Sequence, residues 1–267
     1  MDPEKEALIA ERWHTARKGP LSEQDIKALY EQEAQMRGYE ASKDHVFSLE
    51  SIHDVLRRMT RDFACASLLD VGSGPNPDLD LSWARQGARV VAAEFCFGFS
   101  AYARRRATEM GATLTVVNAT ACLLPFREHT FDGCILSETL EHVMDPGKAL
   151  AEVHRVLKPR GYLFLTVPNE RNFHTFYLWL LCHLAPWKKP AVLPGEHPNH
   201  FQHFSYRQLI KLCEGLFCVE KQYPVGFSAA PFRQQPVEWL LGKLVNIPPP
   251  EATFRKLRLR PPTPDMI

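Results

Sequence analysis

From Ala66 onward the chain alternates between two hydrophobic rhythms. The runs "ASLLDV", "ARVVAAE", "TLTVVNA", "FDGCILS" and "GYLFLTVP" are short and apolar, and read as strands buried on both faces. Between them lie stretches with helical spacing: residues 78–86, closed by Gly87, then about 99–110, followed by Gly111, and "PGKALAEVHRVLK". Strands separated by helices of this length predict a parallel sheet with right-handed crossovers, and so a three-layer α/β/α domain.

Residues 1–62 follow a different pattern. Leu8, Ile9 and Trp13, then Ile26, Leu29 and Tyr30, fall at helical spacing, and "KGP" at 18–20 ends the first helix. Val46, Leu49, Ile52, Val55, Leu56 and Met59 mark another helix, with Ser51-x-x-Asp54 as a cap signal. We read 1–62 as a helical cap and 63–267 as one α/β domain. Residues 168–204 break the rhythm with prolines, glycines and the run "NFHTFYLWLLCHLAPW", which reads as a lid-like insertion after the fifth strand. A helix at about 206–214, a sixth strand "LFCVEKQYP" and a helix over 234–245 follow. The alternating stretch "TFRKLRLR" is expected to return as an antiparallel edge strand, and the tail "PPTPDMI" to be loose.

Composition narrows the partners. The 267 residues are 45% hydrophobic, enough for a sizeable core. A net charge of +1 with His neutral gives no electrostatic case for nucleic acid. The start "MDPEKEALIAERWH" has no apolar signal core, and no run nears the roughly 20 residues that span a bilayer. Seven cysteines, at 65, 96, 122, 134, 182, 213 and 218, include no CxxC pair. A disulfide framework and a zinc site are therefore not expected, and a reducing cytoplasm is.

The chemistry begins at "LLDVGSGPN", residues 68–76. A glycine turn between a strand and a helix is where an open α/β sheet holds a nucleotide. Gly72 and Gly74 let the backbone turn tightly and approach a ligand. The second strand ends in Glu94, 20 residues after Gly74, a spacing that suits a carboxylate accepting from two ribose hydroxyls. A dinucleotide-dependent oxidoreductase would place its third glycine at position 77, where this chain has Pro77.

Residues 123–169, "LLPFREHTFDGCILSETLEHVMDPGKALAEVHRVLKPRGYLFLTVPN", resemble the second half of a class I S-adenosylmethionine-dependent methyltransferase, of the broad group that includes quinone-biosynthesis and small-molecule enzymes. The resemblance covers about 66–169 and continues weakly through "HFQHFSYRQLIKLCE". It implies a Rossmann-like methyltransferase fold and S-adenosylmethionine as cofactor. Glu94 would take the ribose, Phe95, Ala121 and Leu123 would flank the adenine, and Thr120 would accept from its amino group. Asp70 and the backbone of Gly72 to Gly74 would hold the methionine portion. S-adenosylmethionine has no phosphate, and residues 70–84 hold no Lys or Arg. The family's usual third glycine is Asn76 here, its usual Asp before "LPF"-like segments is Thr120-Ala121, and its "LKPGG" is "LKPRG". Arg160 would disfavour a type II turn, so a type I turn ending at Gly161 is expected.

The fourth strand ends in Ser137-Glu138-Thr139-Leu140-Glu141-His142, the side that faces the methyl group in this fold. No Asn-Pro-Pro-Tyr stands there, which counts against methylation of a nucleobase or amide nitrogen. His142 reads either as the base for a hydroxyl acceptor or as a local backbone cap. In "GEHPNHFQHFS", Glu196, His197, His200 and His203 lie among prolines and phenylalanines, which favours a loop or pocket wall over a metal site. The aromatic run 173–187 with Lys188-Lys189 reads as a buried helix or as a lid that walls an apolar acceptor or rests on a membrane surface. Tyr30 and Tyr39 are further pocket candidates. The expected function is methyl transfer to a small or lipid-like molecule, at oxygen; the alternative is a catalytically silent cofactor-binding adaptor.

Overall fold

The computed structural model describes residues 3–37, 56–57, 66–168, 199–225 and 254–260. The strands are β1 (Ser67–Val71), β2 (Arg89–Glu94), β3 (Thr115–Asn118), β4 (Phe131–Ser137), β5 (Leu157–Pro168), β6 (Cys218–Val225) and β7 (Phe254–Arg260). The helices are α1 (Pro3–Ala16), α2 (Glu23–Arg37), α3 (Asp78–Arg85), α4 (Phe97–Glu109), α5 (Pro146–Val156) and α6 (Tyr206–Cys213). The strands form one sheet in the order β3-β2-β1-β4-β5-β7-β6. Strands β1 to β5 pair in parallel, and β7 runs antiparallel to both β5 and β6.

The period-2 rule divides the core. Leu69, Val71, Val91, Ala93, Cys134, Leu136, Leu163 and Leu165 point to one face, where α5 and α6 cover them. Their neighbours Leu68, Val90, Ala92, Ile135 and Phe164 point to the other, under α3 and α4. Helix α5 shows why its sequence closes on the sheet: Ala149, Leu150, Val153 and Val156 share one stripe and are fully buried. Its start is fixed by Pro146 at the first position and by the Asp145 carboxylate, which accepts from the Lys148 N–H at 2.9 Å. Helix α6 opens with a reciprocal capping box between Ser205 and Gln208.

Helices α1 and α2 make a third apolar cluster of Ile9, Trp13 and Ile26, against which Phe95 and Phe201 of the α/β body also pack. Among the described residues of the expected 46–59 helix, Leu56 is fully buried in the α3/α4 layer. Most of the 168–204 insertion, with its aromatic run, and the expected 234–245 helix and tail lie outside the described residues.

Two expectations change. "TFRKLRLR" is an antiparallel strand, but not at the edge: β7 sits between β5 and β6, and β6 is the edge. Alternation marks a strand; its two neighbours depend on pairing across the chain. The expected type I turn in "LKPRG" is also absent, because Arg160 takes a left-handed φ of 66°. A Cβ at Gly161 would come 2.9 Å from the Lys158 carbonyl and 3.1 Å from that of Asp132. Gly161 is therefore reserved for close approach to β4, and the left-handed residue is the one before it.

Candidate functional site

The sheet reverses its winding between β1 and β4, with β2 and β3 to one side and β5 to the other. Open α/β sheets bind ligands beyond the strand ends at such a switch point. A cavity of about 480 Å³ lies there, reached by Val71 at the end of β1, Glu94 at the end of β2, Ala119 after β3 and Glu138 after β4.

The turn after β1 is built by backbone. Gly72 and Gly74 have φ of 73° and 67°, in the left-handed region that favours glycine. The Gly72 N–H donates to the Ala93 carbonyl at 2.7 Å, tying the turn to β2. A Cβ on Gly72 would lie 2.4 Å from the Thr139 hydroxyl oxygen, so the turn is also pressed against the segment after β4. Glu94 clamps the other side. One carboxylate oxygen accepts from the Gly74 N–H and the other from the Cys96 N–H, each at 2.8 Å. Burial pushes its carboxyl up, while the N–H donors of Cys96 and Gly74 pull it back. Each oxygen keeps a second lone pair, so the clamp can also accept from a ligand.

Of the expected cofactor and base residues, the structure brings Gly72, Gly74, Glu94, Phe95, Thr120, Ala121 and His142 to this cavity, while Leu123 is exposed and not on its wall. Asp70 and Ser137 are not on its wall. Asp70, on the same side of β1 as Leu68, is buried against α3, its carboxyl beside that of Asp80. Burial pushes Asp70 up to about 7 and raises Asp80 well above the usual carboxylate range, with Asp70 beside it adding to the rise. The Ser137 hydroxyl is engaged by that of Thr166 at 2.9 Å. A strand-end residue faces one side of the sheet or the other, and the motif alone does not say which.

Helix α2 supplies a wall of its own through Glu23, Ile26, Tyr30 and Glu33. It is fastened to the α/β body by side chains. The Glu31 carboxylate accepts from the N–H groups of Phe97 and Gly98, capping α4, whose own N-cap Cys96 makes no side-chain cap bond. Lys27 donates to Asn118 at 2.8 Å and stands over the Phe95 ring. The Tyr30 hydroxyl lies 2.9 Å from His142 Nδ1, and that nitrogen is 3.0 Å from the Asn199 carbonyl. The Asn199 carbonyl only accepts, so that contact calls for a proton on Nδ1, while the Tyr30 hydroxyl can take either role there. Burial raises the Tyr30 hydroxyl well above its ordinary value, with the charges of Glu33, Glu141 and Glu94 adding to it.

Sequence reasoning passed over Glu138, which lines the cavity with a left-handed φ of 49°. The Thr166 hydroxyl donates to its carboxylate at 2.6 Å. Nothing in the local pattern marks Glu138; its position depends on β5, 28 residues away. Tyr39, Glu196 and His197 lie outside the described residues, and His203 is exposed. His200 is buried, with its ring centroid 4.7 Å from that of His142.

The wall is rich in carboxylates. Glu23, Glu33, Glu94, Glu138 and Asp145 line it, against Lys148 as its one lysine or arginine among the described residues. Such a wall suits a cationic ligand and opposes a pyrophosphate. Residues 69–165 match the family described as methyltransferase domain. Over that span the chain is similar to methyltransferase domains. Over 99 residues it is 39% identical to a demethylmenaquinone methyltransferase of Thermobifida fusca (strain YX), covering 37% of this chain and 42% of that one. Over 166 residues it is 28% identical to a ubiquinone biosynthesis O-methyltransferase of Vibrio cholerae serotype O1, covering 62% and 65%. The chain thus spans less than two thirds of the length of these relatives. The structure of the [4+2]-cyclase SpnF shares the fold at a TM-score of 0.57 and 19% identity, covering 79% of this chain and 81% of that one. Among the described residues no helix is long and apolar enough to cross a membrane.

S-adenosylmethionine is the cofactor that the matched domain implies, and the residues present fit it. The glycine turn has no cation to answer a phosphate, the carboxylates answer a sulfonium and an ammonium, and Glu94 stands where a diol can donate to it.

Proposed function

We propose that this protein methylates a hydroxyl on a small, lipid-like acceptor. The observation that carries the reading is the shared wall: the Glu94-clamped glycine turn and His142 line one cavity. S-adenosylmethionine supplies an already activated methyl group, whose C–S bond breaks as the new O–C bond forms. What the chain must do is hold, align and take a proton. Glu94 and Phe95 would hold the adenosine, and Thr120 and Ala121 its base. With Nδ1–H given to the Asn199 carbonyl, Nε2 would accept the proton that the hydroxyl loses. Tyr30 braces the same ring. The named activities of the quinone-biosynthesis relatives support an acceptor of that class.

The test is incubation of the purified chain with S-adenosylmethionine and hydroxyl-bearing quinol analogues, reading S-adenosylhomocysteine and methylated product by mass spectrometry. Methyl ether formation that falls at least about tenfold in His142→Ala, with cofactor affinity retained, supports the reading. Cofactor binding with no methylated product from hydroxyl acceptors would overturn it.

A further inference from the structure

The buried corner behind His142 holds donors that the methyl-transfer reading does not use. Glu141 sits in the 3-10 turn Leu140–His142 with its side chain 2% exposed. Its Oε2 is buried and has no hydrogen-bond partner. Leaving a buried carboxylate oxygen unsatisfied is costly, and native structures seldom do so without a ligand, ion or water in prospect. Around it, one ligand atom each from Glu141, His142 and His200 lies within 4.8 Å of the others.

We propose that Glu141, His142 and His200 form a site for one divalent d-block cation, with Zn2+ the best match. Two imidazoles and one carboxylate are the donor set of open zinc sites, which keep a fourth position for water or substrate. A tetrahedral Zn2+ with bonds of about 2.0–2.1 Å places its donors roughly 3.3–3.4 Å apart. Glu141 Oε1 and His142 Nε2 are already 3.9 Å apart. With Nδ1–H given to the Asn199 carbonyl, Nε2 is the nitrogen that would take the ion beside the carboxylate. The backbone holds the third donor in place. The Glu141 carbonyl accepts from the N–H groups of Phe201 at 2.8 Å and Gln202 at 3.0 Å, and Arg17 donates to the His200 carbonyl at 3.1 Å. Two segments nearly 60 residues apart in sequence are thus zipped together at the ligand positions, the histidine-rich run as a loop whose Asn199 lines the cavity.

His142 also lines the cavity, so an ion held here would stand where the acceptor meets the chain. That consequence rests on the hydroxyl-methylation reading; cation binding does not. An ion at Nε2 would take over from the imidazole the lowering of a hydroxyl's proton affinity.

The experiment strips the purified full chain with chelator and titrates Zn2+ against a chromophoric competitor, then repeats with Co2+ and reads its visible absorption. The expected result is one ion per chain with the spectrum of nitrogen and oxygen ligands. His142→Ala and His200→Ala should each weaken binding at least about tenfold, while His203→Ala leaves it unchanged. If His200→Ala fails to fold, His142→Ala decides, since its side chain is 25% exposed. No saturable site, or a stoichiometric site indifferent to His142→Ala, would overturn the inference. It would leave methyl transfer standing, because product formation is measured separately.

Discussion

Two parts of the cavity wall are made in different ways. The part around Gly72, Gly74, Glu94 and Phe95 is short-range: two adjacent parallel strands, each ending in a turn, with bonds from backbone N–H to one carboxylate. The part around Tyr30, His142 and Asn199 joins positions 112 and 57 residues apart through side chains. The first is held by the sheet and tolerates little change. The second is held by a few polar contacts between an N-terminal helix, a 3-10 turn and a later strap. Backbone geometry set by a sheet is stiff, whereas a wall of docked helices can be adjusted to an acceptor without disturbing the cofactor side. SpnF, a [4+2]-cyclase on the same fold, fits that division: the scaffold alone does not name the reaction.

The strongest way to break the comparison is at the stiff wall. Gly72→Val imposes a left-handed branched residue and drives its Cβ into Thr139. We expect a stability loss of about 2–5 kcal/mol in urea unfolding and no measurable S-adenosylmethionine binding by calorimetry. Retained affinity would mean that the turn is not the cofactor's seat. Glu94→Gln keeps the shape but loses the charge and one acceptor. It should weaken cofactor binding by about 1.5–3 kcal/mol, and an unchanged dissociation constant would remove Glu94 from the ribose.

A third effect lies just behind the stiff wall. Asp70 has a folded pKa of about 7 against an unfolded value of 3.8, raised by burial. The folded state therefore binds more protons than the unfolded one between those values, and stability falls as pH rises through that window. We expect a decline of about 1–3 kcal/mol between pH 4 and 7, with a shallower slope in Asp70→Asn. Burial raises Glu94 in the same direction, so part of the slope should remain. A slope unchanged in Asp70→Asn would show that Asp70 does not titrate there.

At the adjustable wall, Tyr30→Phe removes one hydroxyl contact to His142. The expected stability cost is about 0.5–1.5 kcal/mol. Turnover should fall several-fold while cofactor affinity is unchanged; a loss of cofactor affinity instead would merge the two walls into one. The smallest effect is far from both. Arg160→Gly relieves a left-handed residue and should stabilise the chain by about 0.5–1 kcal/mol, read as a rise in the unfolding midpoint. A fall would mean that the Arg160 side chain contributes more than its backbone costs.

The contrast between the walls is also a contrast in what the sequence could say. Hydrophobic runs and glycine stops located strands β1 to β6 and the helices between them, because pleat and helix periods act over a few residues. The glycine turn and Glu94 were legible for the same reason: their geometry follows from two neighbouring strands with a fixed crossover hand. Only the tertiary structure decided the rest. It turned Asp70 toward Asp80 rather than the cavity, engaged Ser137 with Thr166, and slid β7 between β5 and β6. It also gathered Tyr30, Glu138, His142, Asn199 and His200 from distant segments. Those outcomes depend on which face of a strand, and which far piece of chain, meets a given residue, and no local pattern carries that information.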